Sequence, residues 1–166
     1  MMLSGRAIRT GKHVGLTRIE GQFQPAGVDL SVESVWVFEE AGSIDLDNKK
    51  RKIPKCKKLE FGPDEFVHLS PGPYKLVFNE LVDVPSDCAG IARSRSSLLR
   101  MGASVQTALW DPGYKGRSEA LLLVSNPSGL ALHMHARVAQ LSFIRLEKPS
   151  GETYEGNYQH ENMGRK

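Results

Sequence analysis

The sequence predicts a compact all-β barrel or jelly roll with one short helix. Three observations carry this. Glycine and proline, 16 and 9 residues, punctuate the whole length. Between them lie short stretches that alternate apolar and polar residues with period two, the pattern of half-buried strands. Only two places have helical character, so strands must supply the layers of the core.

The elements follow in order. Residues 4–10 have the first helical character. VDLSV places Val28, Leu30 and Val32 on one face, and SVWVF resumes at Val35. That step of three predicts a bulge. YKLVFNELVDVP (74–85) is the next strand candidate. In SRSSLLRMG (94–102) serine offers an N-cap and Gly102 a C-terminal stop, so a short helix is expected there. EALLLVSN (119–126) and the long LALHMHARVAQLSFIRL (130–146) complete the strands. In the long one, His133 and His135 point to one face, as an ordinary strand face or as two metal ligands lacking a third. No internal repeat is present. The last 17 residues are polar and aromatic-spotted, which predicts a β domain over 1–149 and a flexible C-terminal tail over 150–166.

Length and composition bound the function. A chain of 166 residues suits one domain. A domain of this size buries roughly 70% of its unfolded surface and needs no metal or disulfide staple. Hydrophobic residues at 40% and charged residues at 25% exclude disorder and collagen-like repeats. The longest apolar run, Ala120 to Val124, falls far short of the ~20 residues that span a bilayer. The basic start has no apolar segment behind it. A soluble, cytoplasmic protein with no membrane partner is expected. A net charge of +3 is too mild to imply nucleic acid. Seven of the ten residues from Lys49 to Lys58 are basic, which predicts a solvated loop or hairpin tip, with a polyanion-binding patch as the alternative. Cys56 and Cys88 form no CxxC pair, so reduced thiols are expected.

Three segments carry chemistry. In ARSRSSLLRMG (92–102), arginines and serines flank the start of the expected helix, where free N–H groups and directed donors suit phosphate oxygens. Ser96 and Arg100, four apart, share a helix face. In TALWDPGYKGRSEALLLVSN (107–126), Asp111-Pro-Gly marks a turn between strands. Asp111 at a strand end is a candidate for orienting water or a cation. In QPAGVDLSV (24–32), Asp29 stands inside an apolar strand and must find a partner or a cation. Signatures of serine hydrolases, zinc proteases, Walker loops and dinucleotide folds are absent.

Together these segments resemble the trimeric dUTPase and dCTP deaminase superfamily. AGVDL resembles its first motif, RSRSSLLR its second, LWDPGYKG its third and ARVAQL its fourth, in the right order over residues 24–141. Gln24-Pro25 and RSSLLR lean towards the dCTP deaminase-like branch, which includes archaeal dUTPases and bifunctional enzymes. The resemblance implies a distorted jelly-roll β-barrel of the dUTPase-like type and a homotrimer with shared active sites. It implies that Arg95, Ser96 and Ser97 hold the triphosphate, with Arg100 behind them and Gln140 on a phosphate. Arg137 would support structure. Thr107 and Ala108 would read the pyrimidine edge, and Tyr114 would pack under the deoxyribose. Asp111 would align the water that attacks the α-phosphorus of dUTP, with Mg2+ across the phosphates and Asp29 assisting the metal through water. Phosphoryl transfer suits such sparse equipment, since it needs positioning and charge stabilisation more than covalent help.

Departures from the family pattern matter too. The spacing from Arg95 to Asp111 is short, His135-Ala136 replaces a usual Gly-Asp, and the tail TYEGNYQHE resembles the deaminase branch with Glu161 where glutamine is common. Tyr154 and Tyr158 are candidates to close over base or phosphates. The deaminase branch uses a glutamate three residues before an asparagine that ends this strand. The resemblance matches that asparagine to Asn126, and Leu123 stands in the glutamate's place, where leucine moves no proton. Glu119, seven residues before Asn126, is expected nearer the hairpin turn. Hydrolysis of dUTP to dUMP and pyrophosphate is therefore the expected activity. The alternatives are a dCTP deaminase, a bifunctional enzyme, or a non-catalytic nucleotide- or nucleic-acid-binding protein.

Overall fold

The structure is a computed structural model that describes residues 1–149 and 151–164; Ser150, Arg165 and Lys166 of the expected tail lie outside the described residues. Helix α1 (Gly5–Thr10) precedes strands β1 (Val14–Gly15), β2 (Phe23–Gln24), β3 (Gly27–Phe38), β4 (Cys56–Lys58) and β5 (Phe66–Leu69). Strands β6 (Gly72–Phe78), β7 (Leu81–Asp83) and β8 (Cys88–Ser94) lead to helix α2 (Ser96–Arg100). Strands β9 (Ala103–Gln106), β10 (Lys115–Gly116), β11 (Glu119–Val124), β12 (Leu130–His133) and β13 (Arg137–Arg145) follow.

The main sheet runs β8-β13-β3-β6-β11-β9 with antiparallel neighbours. It curls until its two edges meet. The Ser94 hydroxyl of β8 accepts from Val105 N (2.8 Å) and donates to Val105 O (3.0 Å). Further along, Gly90 and Trp110 exchange backbone bonds of 2.8 and 3.0 Å. The all-β barrel expected from the alternation is thus borne out, and closing the edges removes exposed strand backbone. Leu30, Leu76, Phe78, Leu122, Leu141 and Phe143 are fully buried inside it. Each such side chain contributes about 1.5–3 kcal/mol. The bulge in β3 appears as a register shift between Val32 and Ser34.

Four local expectations need correction. No serine caps α2: Arg95 occupies the N-cap and makes no side-chain capping bond, and the Ser94 hydroxyl is spent on β9. Gly102 does end the helix, at φ +76°. The 74–85 stretch breaks at Asn79-Glu80, where the fully buried Glu80 accepts from Gln22 Nε2 (2.7 Å), Ser31 N (2.8 Å) and Ser31 Oγ (2.6 Å). Burial pushes its carboxyl pKa up, against those bonds. The 130–146 stretch breaks into β12 and β13 at a turn in which His135 takes φ +64°. His133 and His135 therefore do not share a strand face. His135 bonds Asn79 and His133 lies 3.3 Å from Glu65, so neither is set for a metal.

The basic run sits on a long hairpin: β4 returns against β3, pairing Lys58 with Trp36, and residues 39–55 form its tip. Cys56 and Cys88 are free, and burial pushes the Cys88 thiol up to about 11. Among the described residues, no helix is long and apolar enough to cross a membrane.

Candidate active site

The Asp-Pro-Gly turn follows Trp110, and Gly113 takes φ +80° at its centre, a conformation glycine adopts without strain. The turn leaves Asp111 exposed at the rim of a cavity of about 220 Å³. Ala108, Trp110 and Tyr114 line the same cavity, with Glu119, Tyr154, Tyr158 and Glu161. A polar chain fixes its floor. Indole nitrogen can only donate, and Trp110 Nε1 donates to Ser118 Oγ at 2.6 Å. Ser118 Oγ lies 3.0 Å from the Tyr114 hydroxyl, which donates to Glu161 Oε1 at 2.8 Å. Burial holds the Tyr114 phenol above the ordinary tyrosine range, so it stays a neutral donor. Burial also raises Glu161, with Glu119 adding to the shift.

Residues 151–164 lie along this turn. Tyr154 N donates to Pro112 O (2.8 Å), Gln159 Nε2 to Gly113 O (3.0 Å), His160 N to Lys115 O (2.7 Å) and Arg117 N to Glu161 O (3.0 Å). The Tyr154 ring meets the Tyr114 ring edge-on at 5.7 Å. Gly116 leaves room for the Tyr114 hydroxyl to reach Glu161, since a Cβ there would stand 2.6 Å from the Tyr114 hydroxyl oxygen.

A second cluster forms where β3, β13 and α2 meet. Asp29 is 2% exposed, and its Oδ2 lies 3.1 Å from Arg95 Nε and 3.2 Å from Arg137 Nη1. Gln140 stands opposite Asp29 in the β3–β13 register. Burial pushes the Asp29 carboxyl up, and the two guanidinium groups oppose that shift. Ser96, Ser97 and Arg100 are exposed on α2. The expectation that a carboxylate inside this strand must find a partner is met by these two arginines. Among the described residues, no group of three or more histidine, cysteine, aspartate or glutamate side chains could hold a cation. The side chains present therefore do not fit a protein-held magnesium.

The structure does not bring the two clusters into one cavity. Ser94 pairs with Val105 and Gly90 with Trp110, so Arg95 and Asp111 leave opposite ends of a strand pair about five residues, or ~16 Å, long. Thr107 lies between them, lining a shallow groove with Ser94 and Leu99, apart from the Asp111 cavity. Sequence reasoning missed Glu119 as part of the cavity wall. Its carboxylate faces Lys75 Nζ at 3.1 Å, and Leu123 lies outside the wall. The period-two pattern held the signal: Ala120 and Leu122 fill the core, which turns Glu119 and Leu121 to the opposite face.

A nearly closed barrel with this strand order is a jelly roll of the dUTPase-like kind. A 2'-deoxycytidine 5'-triphosphate deaminase from Agrobacterium tumefaciens shares the fold, with a TM-score of 0.64 and 21% identity over 86% of this chain. The aligned part spans about half of that protein's length, 47%. The chain belongs to the dCTP deaminase-like family, whose model matches residues 2–146. It is 49% identical over 143 residues to a probable deoxyuridine 5'-triphosphate nucleotidohydrolase of Methanosarcina mazei, covering 86% of this chain and 84% of the relative. Proteins of the same description from Aeropyrum pernix and Archaeoglobus fulgidus are 45% and 42% identical, each over 98% of this chain and 100% and 98% of the relative.

Proposed function

We propose that the chain is an enzyme that hydrolyses dUTP to dUMP and pyrophosphate, working as a homotrimer whose sites draw on two subunits. The observation that carries this is the exposed Asp111 carboxylate on the rim of a cavity floored by Tyr114. The names of the archaeal relatives support the substrate.

The cavity is smaller than the roughly 300–1,000 Å³ of drug-sized pockets, so it suits base and sugar but not a triphosphate as well. Three carboxylates, Asp111, Glu119 and Glu161, line it. They repel phosphate, so the triphosphate lies outward. Arg95, Ser96, Ser97, Arg100 and Gln140 are its proposed partners, supplied by the neighbouring subunit because they lie at the far end of the strand pair. Ala108 is proposed to read the base inside the cavity and Thr107 to do so from the adjoining groove, Tyr114 to exclude a 2'-hydroxyl, and Tyr154 and Tyr158 to cover the nucleoside. The reading takes residues 1–149 as the β domain and the residues after it as a tail that closes this cover.

In the step itself, a water oxygen bonds to the α-phosphorus and the α–β bridging oxygen leaves with pyrophosphate. Asp111 orients that water and takes its proton. Magnesium is the proposed cofactor; held by the substrate's phosphates rather than by a cage of this chain's side chains, it would supply charge neutralisation. The protein's part is to position the phosphates with guanidinium and hydroxyl donors. A cytoplasmic location goes with this substrate.

The placement of Glu119 favours a second reading, deamination of dCTP, since a carboxylate does face the cavity. Its partner there is Lys75, whose Nζ lies 3.1 Å from Glu119 Oε1. Incubating the protein with magnesium and each deoxynucleoside triphosphate tests both. Release of dUMP and pyrophosphate from dUTP alone supports hydrolysis. Ammonia from dCTP, lost in Glu119→Gln, would establish the second reading.

A further inference from the structure

The hairpin tip that carries the basic run takes no part in the function proposed above, yet it reaches the cavity. A groove of about 540 Å³ lies outside the inner cavity, and Phe38, Ile53, Lys75 and Leu121 line it. The two spaces share Ala108 and Glu119 from the barrel and Tyr158 and Glu161 from the tail, so the tail supplies one side of the partition between them. From the hairpin side, the Arg51 guanidinium lies 5.7 Å from the centre of the Tyr158 ring. Ile53, 61% exposed, and Phe38, 40% exposed, present apolar surface to the same partition. The tip is built to hold this position. Ser43 and Lys52 pair across it, Lys52 Nζ bonds Glu40 Oε2 at 2.9 Å, and Lys55 N bonds Glu40 Oε1 at 3.0 Å. Those bonds lower the Glu40 carboxyl pKa, so the brace is ionised at neutral pH.

We propose that the hairpin tip clasps the C-terminal tail from outside, with Arg51 on Tyr158 as the contact and Arg51 as a positioning residue for nucleotide binding. This rests on the reading that the tail covers the nucleoside. The tail's inner face is held by backbone bonds to residues 112–117, whereas its outer face has the Arg51 stack. A flat guanidinium suits that role, since it stacks on an aromatic face while remaining hydrated at its edge. The clasp lowers the cost of ordering the tail when nucleotide binds, so it acts on KM and leaves the chemical step alone.

The test compares Arg51→Ala with Lys50→Ala, a neighbour on the same tip whose side chain lines neither space. Arg51→Ala should speed amide exchange at residues 154–162 and raise KM for dUTP about two- to five-fold with kcat unchanged, the size of an exposed cation–π contact. Lys50→Ala should do neither. Tyr158→Leu should raise KM, and adding Arg51→Ala to it should raise KM no further. Wild-type exchange in Arg51→Ala, or independent effects of the two substitutions, would overturn the clasp. If the wild-type protein releases no dUMP, the functional reading fails, and the exchange comparison still decides the clasp.

Discussion

The two halves of the candidate site are built on opposite electrostatic plans. Around Asp29 the charges neutralise one another: a carboxylate that is 2% exposed faces two arginines that remain 30% exposed. Around Asp111 they do not. Three carboxylates rim one cavity, and the cation beside them, Lys75, pairs with Glu119. On the function proposed, the first half is a scaffold whose partly exposed arginines meet an anion, and the second holds an exposed carboxylate beside an aromatic floor that takes water and a nucleoside. Stability and chemistry should therefore separate between them.

The largest effect is expected at Asp111. Asp111→Asn keeps the shape of an exposed side chain, so thermal unfolding should be unchanged. Turnover of dUTP should fall by about 10²–10⁴, the contribution of a general base. A loss of only a few-fold would remove Asp111 from the mechanism. Asp29→Ala should show the reverse pattern. It leaves two partly buried guanidinium groups facing each other, so stability to urea should drop by about 3–5 kcal/mol, as for a broken buried pair. A drop under about 1 kcal/mol, the value of a surface pair, would mean that the scaffold lies elsewhere.

A smaller and pH-dependent effect is expected at Glu80, which braces β3 beside Asp29. Gln22 Nε2 bonds both Glu80 Oε1 and Asp29 O, while Ser31 N bonds Glu80 Oε2. Asn79 also bonds the Ser31 hydroxyl, and it is held in turn by Arg18 and His135. Burial raises the Glu80 pKa, so above the ordinary value of 4.5 the native state holds this proton more tightly than the unfolded chain. The contribution of Glu80 to stability is full below that value and is lost as pH rises through the raised one. Wild type minus Glu80→Gln, measured by urea unfolding between pH 5 and 8, should shrink with rising pH. A constant or widening gap would contradict the assignment.

The two halves were not equally legible in the sequence. Asp29 stood out because a carboxylate inside VDLSV needs a partner, and the structure supplies arginines from two of the motif segments. Period-two alternation gave the buried faces of β3, β6, β11 and β13, because alternation is a local property of a strand. Breaks set by distant partners were hidden. Nothing local in HMHAR says that Val32 will bond His135 N and Ala136 O and turn the chain there. Nothing local in TYEGNYQHE says that it will run along residues 112–117, since several of those bonds are backbone ones that any residue can make and the Gln159 and Glu161 side chains find partners distant in sequence. The Ser94 hydroxyl looked like a cap because its competitor, Val105, lies across the barrel seam.

The separation of the halves is the central claim, and mixing variants tests it most directly. Asp111→Asn and Arg95→Ala proteins should each be nearly inactive, since each lacks one half of every site. Unfolded together in equal amounts and refolded, they should form mixed trimers in which about a quarter of the sites combine a native Asp111 with a native Arg95 from the neighbour. The account predicts that dUTP hydrolysis returns to about that fraction of wild type. A mixture no more active than its components would show that both halves serve one site within a single chain, and would contradict the account.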